Sequence, residues 1–243
     1  MKSANKILVV GGGAVGVEIA GEILAKFPKK SLTLVTNSAT LLNRLSPKAQ
    51  QLAESKLKSK GATIIYNESV NTTTEDQKTF TTSKGTVIEA DLVLRMIGIT
   101  PNSSFMRTNF ADKLDERGFI KVNEYLQLEG QTNIFVVGDV TAIPEEKSAM
   151  NAYAHIANLR ENLKNIVENK PLKAYATGPL MMLVSVGPKD GVMYNNGKAM
   201  GWPGSAFGWL KRVAFKSGIH AKSGCVHGND EKKCFGCKMI RKE

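Results

Sequence analysis

The chain has 243 residues, 42% of them hydrophobic and 23% charged, which allows one or two packed domains of ordinary globular composition. It has no apolar run of the about eighteen residues that a membrane-spanning helix needs. Its three cysteines all fall in the last twenty residues, which argues against a secreted disulfide framework and for a reducing, cytoplasmic setting. The formal net charge is +11.

The N-terminal residues run directly into the stretch Lys6–Gly16, KILVVGGGAVG, without a separate targeting segment. The stretch reads as a buried strand over Ile7–Val10, a glycine turn, and a helix from Ala14 with apolar residues at Val15, Ile19, Ile23 and Phe27. Gly11, Gly13 and Gly16 stand at the spacing of a dinucleotide fingerprint. In that motif the first glycine makes the tight turn, the second lets a pyrophosphate approach the backbone, and the third lets helix and strand pack closely. The helix N-terminus then offers unpaired N–H groups to the phosphates. The alternative is a glycine-rich turn in an ordinary α/β domain.

Leu32–Val35 reads as a second strand. The acidic residue that would hold the adenosine ribose falls on neutral Thr36-Asn37, so the choice between NADH and NADPH stays open. Arg44 is either a surface residue or a partner for a 2′-phosphate. Ser46-Pro47 opens a helix that runs to about Lys60 and stops at Gly61. A strand over Ala62–Tyr66 follows, then a hairpin turning at Lys84-Gly85, then a strand over Asp91–Ile97. The expected fold is therefore α/β, a Rossmann-type domain over residues 1–100 with an inserted antiparallel meander.

Residues 101–170 read as a second segment. Short strands are expected at Gly118–Val122 and Glu124–Leu126, and a buried strand at Asn133–Val137 leads into Gly138-Asp139. A helix over about Lys147–Glu168 follows, with apolar spacing at Ala149, Ala152, Ile156, Leu159, Leu163 and Ile166. A carboxylate at a strand's carboxyl end suits sugar-alcohol hydroxyls, although Asp139 could equally cap its own turn. Residues 171–243 read as a C-terminal α+β domain with a strand at Leu180–Val186. The stretch Trp202–Phe215 mixes aromatics with Lys211 and Arg212, as an interfacial or a core helix would. Residues 209–243 carry nine Lys/Arg against three Asp/Glu, a tail that suits anionic lipid or nucleic acid, or is a solvated surface. Cys225, His227, Cys234 and Cys237 are free thiols with a histidine, a reversible disulfide pair, or a zinc set of unusual spacing.

Taken together, these motifs resemble the pyridine-nucleotide-dependent flavoprotein oxidoreductases. GGGAVGVEIAGE at Gly11–Glu22, including Glu18, resembles the NAD(P)H motif of that superfamily. IGITPN, with Gly98 and Pro101, resembles the return strand towards the flavin domain, and TNIFVVGD resembles the second flavin motif. The stretch Pro171–Val192 is similar to the apoptosis-inducing-factor-like, mitochondrion-associated subgroup, also called ferroptosis suppressor protein. The resemblance implies that Gly11, Gly13 and Gly16 seat NADH or NADPH and that Glu18 lies near the nicotinamide. It further implies that Gly138 and Asp139 meet the FAD ribityl chain, and that Lys147 and His155 belong to the helix facing the flavin ring. It implies electron transfer from NAD(P)H through FAD to a quinone, at membranes or lipid droplets. No Cys-x-x-Cys lies near either nucleotide motif, so a dithiol relay is not expected. One departure is large: such proteins carry a separate FAD-binding unit with its own glycine fingerprint, roughly a hundred residues by the size of a βαβ unit. A truncated product, a partial gene model or a partner chain supplying that half are the expected explanations.

Overall fold

The computed structural model describes residues 3–73 and 78–203. Two compact units emerge, one of residues 1–98 with a segment beginning at Pro179, the other centred on residues 99–178. The first division falls at Gly98. The strands after Pro179 pack on the first unit. The basic tail, the aromatic stretch from 204 to 215, and the Cys225, His227, Cys234 and Cys237 set lie outside the described residues, while Trp202 and Pro203, expected to open a helix, end a strand instead.

The first unit is built on a parallel sheet of order β3-β2-β1-β7, comprising β1 (Lys6–Val10), β2 (Ser31–Val35), β3 (Ala62–Ile65) and β7 (Leu92–Arg95). Because both faces of β1 are covered, its apolar run is continuous, as a parallel strand requires. Ile7 and Val9 enter the core beneath α1 (Ala14–Lys26) and α2 (Pro47–Ser59), while Leu8 and Val10 enter a second core against Phe80 and Ile88. Those two residues belong to an antiparallel insert of order β4-β5-β6: β4 (Val70–Thr73), β5 (Thr79–Thr82) and β6 (Val87–Glu89). The expected hairpin is β5-β6; β4, a third strand pairing with β5, has no apolar alternation to announce it.

Helix α1 buries Val17, Ala20, Ile23 and Leu24, whereas Val15 is exposed, so the inward stripe is rotated from the expected one. The rotation follows from the small residues. A side chain on Gly21 would sit 2.5 Å from the backbone of Gly187, so the helix presses its glycine face onto a strand turn. That turn joins β8 (Met181–Ser185) to β9 (Asp190–Asn195), and with β10 (Lys198–Pro203) they form an antiparallel sheet of order β10-β9-β8. Val184, Val186, Val192 and Tyr194 complete the core over α1 and α2. Asp190 binds Lys56 of α2 and Lys60 at its C-cap, both at 2.9 Å, and Lys60 above all holds its carboxyl below the usual range. Ser46 takes the extended N-cap conformation before Pro47, as expected, but its hydroxyl makes no cap bond.

The second unit contains one long helix among its described residues, α3 (Ala149–Val167). The expected strands at 118–126 and 133–137 are corrected to isolated bridges, including Ile120 with Thr141 and Gln127 with Phe135. Segment 134–136 bonds backbone to backbone only with 126–128, too short a partner for a ladder. The chain is held instead by side chains that imitate turns: Asp115 accepts the N–H groups of Arg117 and Phe119, and Asn123 those of Tyr125 and Gln127. Met106, Ile120 and Leu128 make its small core. Helix α3 reverses the expectation: the buried residues are His155, Asn158 and Asn162, while Ile156, Leu163 and Ile166 are exposed. Asn162 binds both backbone groups of Lys173, at 2.8 and 3.0 Å, so its amide takes the place of a neighbouring strand.

Candidate functional site

At the carboxyl end of β1 the glycine turn is fixed by two backbone hydrogen bonds. Gly11 donates to the Val35 carbonyl at 2.8 Å, Leu42 donates to the Gly12 carbonyl at 2.8 Å, and Gly11 has φ +119°. A Cβ on Gly11 would stand 2.2 Å from the Met96 carbonyl oxygen, and one on Gly16 would stand 1.9 Å from that of Gly11. Both positions therefore exclude side chains by backbone collision. Gly12, outside the three-glycine spacing, is also closed, since its Cβ would meet Thr36 at 2.8 Å. Gly13 is the exception: nothing lies within 4 Å of where its Cβ would be. It is the N-cap of α1, carries no side-chain cap, and no acidic residue occupies the first turn. The first N–H groups and the positive end of the helix dipole thus point into open space, an arrangement suited to an anion.

That space is a groove of about 410 Å³. The glycine turn, Val35–Ser38 and Arg95–Gly98 line it. Gly11, Gly13 and Gly98 of the expected site are thereby brought together, with Gly16 packed directly behind. Arg44 is not among the lining residues, although its neighbour Asn43 is. Glu18 does not line the groove either, and its carboxylate accepts hydrogen bonds from the Ser185 N–H and hydroxyl at 3.0 and 3.1 Å. Sequence reasoning missed Glu68, which does line the groove. Hydroxyl groups of Thr82 and Thr86 hold its carboxyl below the ordinary range. The only sign of it in sequence is its place after the third strand.

The second unit carries Gly138, Asp139 and Lys147. Gly138 has φ +83°, and the space beside its Cα is open. Its N–H donates to His155 Nδ1 at 2.9 Å, and its carbonyl accepts from the Thr141 hydroxyl at 3.0 Å. Because Nδ1 accepts, the proton of the neutral ring sits on Nε2, which faces Glu145 at 2.7 Å. Glu145 also accepts from the Tyr175 hydroxyl at 2.8 Å. Tyr175 packs edge-on against His155, with burial and then the Glu145 bond raising its own pKa. Asp139 is exposed at the tip of this held turn. Lys147 donates to the carbonyls of Thr141 and Ile143 at 2.7 and 2.8 Å and lies over the Phe119 ring. Burial lowers its pKa. Its ammonium thus ties the backbone that follows Asp139.

The residues fit the two expected cofactors unequally. The first unit offers an open glycine turn at an uncapped helix N-terminus, the shape a dinucleotide diphosphate needs. The second unit offers an open glycine and an exposed carboxylate, suited to a sugar-alcohol chain. Its long helix is closed at the N-terminus by the Ser148 hydroxyl, which accepts from the Asn151 N–H. Among the described residues, then, this unit has no second phosphate cradle on a long helix. No helix of the described residues is long and apolar enough to cross a membrane, and no metal-binding cluster occurs among them.

Comparison with known proteins agrees with this geometry. Residues 1–157 match the family of pyridine nucleotide-disulphide oxidoreductases. Ferroptosis suppressor protein 1 of Taeniopygia guttata is 37% identical over 209 residues, covering 83% of this chain and 56% of that protein. Apoptosis-inducing factor homolog A of Dictyostelium discoideum is 34% identical over 221 residues, covering 81% and 54%. The chain therefore spans about half the length of the curated relatives it matches. In fold it is similar to the crystal structure of reduced Bacillus anthracis CoADR-RHD, with a TM-score of 0.64 at 21% identity over 88% of this chain and 37% of that one. By the family match and the glycine turn at the end of its first strand, this chain belongs to the pyridine nucleotide-disulphide oxidoreductase family.

Proposed function

We propose that this chain is the dinucleotide-binding part of an NAD(P)H-dependent flavin oxidoreductase that delivers electrons to a quinone. FAD, when bound, would take hydride from the reduced nicotinamide and pass the electrons on to the acceptor. Gly11, Gly12 and Gly16 shape the turn, the N–H groups beyond Gly13 hold the diphosphate, and Gly98 closes the far side of the groove. In the second unit Asp139 would accept hydroxyl groups of the ribityl chain, on a turn held by His155 and Lys147. Glu18 ties α1 to β8 through the Ser185 N–H and hydroxyl. The quinone acceptor is suggested by the ferroptosis suppressor relatives. A peripheral place on a membrane or lipid droplet is suggested by the basic tail, with nucleic acid the less favoured partner.

The observation that carries this reading is the contrast between open Gly13 and closed Gly11 and Gly16. It is tested by Gly13→Asp. Asp is at least as good an N-cap as Gly, so stability should hold or rise by a few tenths of a kcal/mol. The same carboxylate would fill the anion seat, so NADH affinity should fall at least about a hundredfold, or ~2.7 kcal/mol. Fluorescence titration with NADH and a melting curve read the two effects. Unchanged affinity would remove the dinucleotide reading. Flavin absorbance after incubation with FAD, and NADH-dependent reduction of a short-chain benzoquinone, test the remainder.

A second reading has its own observation. Ile156, Leu163 and Ile166 form an exposed apolar stripe beside the buried face of α3. Such a stripe suits a missing flavin-binding half, supplied by more chain or by a partner. Without that half, the chain would be an NAD(P)H-binding module without turnover: colourless, yet stabilised by NADH.

A further inference from the structure

We infer that Glu68 is the residue that selects NADH over NADPH, supplying from just past the third strand the ribose-facing carboxylate that the end of the second strand lacks. The inference rests on the dinucleotide reading of the groove. In the fingerprint, the adenosine ribose lies over the end of the second strand, and there an acidic residue normally meets the 2′-hydroxyl. Here that place is Thr36-Asn37, and Thr36 is buried. Glu68 stands beside it: its N–H donates to the Thr36 carbonyl at 3.1 Å, and it lines the same groove.

Sheet order decides which charge meets the ribose. The strands run β3-β2-β1-β7, all parallel, so their carboxyl ends share one edge. Glu68 follows β3 and Asn37 follows β2, on one side of the glycine turn. Arg95 closes β7, on the other side. Of the described residues lining the groove, only these two are charged. The adenosine side therefore presents a carboxylate and no cation, while the cation lies towards the nicotinamide side. Asn37, Ser38 and Asn43 fill the rest of that rim, with Asn43 donating to the Ser38 hydroxyl at 3.1 Å. These groups can hydrogen-bond a ribose, but none neutralises a phosphate.

The carboxylate is also held in place. The Thr82 hydroxyl donates to its Oε2 from β5 of the insert. That bond, with the Thr86 hydroxyl beside it, holds the carboxylate at the rim of the groove, and a carboxylate has acceptor sites to spare for a ribose hydroxyl. The antiparallel insert thus has a role at the site, since its strand β5 orients the residue that reads the sugar. A 2′-phosphate brought to this rim meets an ionised carboxylate at close range, and like charges there lower affinity.

The test uses the full chain, titrated with NADH and NADPH by nicotinamide fluorescence, and with 5′-AMP and 2′,5′-ADP by calorimetry. Wild type should bind NADH at least tenfold more tightly than NADPH. Glu68→Gln should bring the two within about threefold, chiefly by tightening NADPH, and the shorter adenosine probes should follow the same ratio. Thr82→Val, which loosens the carboxylate without removing it, should narrow the ratio by a smaller factor. A melting curve for each variant guards against misfolding, and the Thr82 variant keeps the idea testable if Glu68→Gln fails to fold. Wild type that binds NADPH as tightly as NADH overturns the assignment. So does a ratio unmoved in Glu68→Gln while both nucleotides still bind. Absence of binding by any of the four probes would overturn the groove reading together with this one.

Discussion

The two glycine turns of this molecule, at Gly11 and at Gly138, look alike locally and are supported by different means. Both follow an apolar segment, both begin with a glycine of positive φ, and both open beside a backbone that could meet a cofactor, the first at Gly13 and the second at Gly138 itself. Gly11 sits on a four-stranded parallel sheet whose central strand is buried on both faces. Its shape is enforced by backbone on backbone, through Val35, Met96 and Gly16. Gly138 follows a segment with isolated bridges only, and its position is set chiefly by one imidazole, one hydroxyl and the ammonium of Lys147 nearby, with a single backbone bond of 3.2 Å from the Thr141 N–H to its carbonyl. A sheet makes a turn that depends little on any single side chain. Where the sheet is thin, side chains take over the same task, and the turn becomes sensitive to each of them.

The largest expected effect comes from attacking the backbone-supported turn. Gly16→Val would place carbon against the Gly11 carbonyl, so helix and strand must separate. A loss of at least ~3 kcal/mol is expected, at the upper end of single substitutions. Gly138→Ala adds no collision and only the strain of a left-handed backbone, about 1–2 kcal/mol. Urea unfolding of the two variants decides it: equal losses would erase the distinction between the turns.

Next in size is the side-chain support of the second turn. His155→Phe removes the acceptor of the Gly138 N–H and leaves the buried Glu145 without its ring partner, a loss of about 1–3 kcal/mol. His155→Asn keeps an oxygen near the Nδ1 position and should recover part of it. Amide exchange at Gly138 reads the bond directly: protected in wild type, exposed in the Phe variant, intermediate with Asn. NADH affinity, which belongs to the first unit, should stay level in both. Equal protection at Gly138 in all three proteins would mean that the imidazole does not hold the turn.

The same contrast explains what was legible in the sequence. The glycine spacing, the apolar run of β1 and the Ser46-Pro47 start all report local constraints, and α1, α2 and the parallel strands fall where those signals put them. The strand at Asn133–Val137 has an apolar run as strong as that of β1, yet it makes only an isolated bridge, because a strand also needs neighbours that no local pattern encodes. The apolar spacing of α3 marked the helix correctly and its buried side wrongly. Asn158 and Asn162 are buried because they bind the backbone of Lys173, a partner eleven or more residues away. Glu68 escaped notice for the same reason, since it reaches the groove through sheet order rather than through spacing from the fingerprint.

The smallest expected effect tests whether the first unit's support extends past the parallel sheet to β9. Asp190 reaches Lys56 and Lys60 across from α2, and all three side chains are partly exposed. Such pairs contribute about 0.2–1 kcal/mol each at most. Asp190→Asn should therefore lose about 0.5–1 kcal/mol near neutral pH, with two lysines left side by side. Its pKa is lowered in the folded chain, chiefly by Lys60. The contribution is thus fully present above the unfolded aspartate value of about 3.9 and disappears as pH falls through the lower folded value. Unfolding curves of wild type and Asp190→Asn should run parallel from pH 7 to about pH 5 and converge in acid. A gap that persists unchanged at the lowest pH would assign the loss to packing rather than charge. The β8–β10 sheet would then be held to α2 by apolar packing, Val192 and Tyr194 included, and the first unit's counterpart to the second turn's polar contacts would be the tie of Glu18 to Ser185.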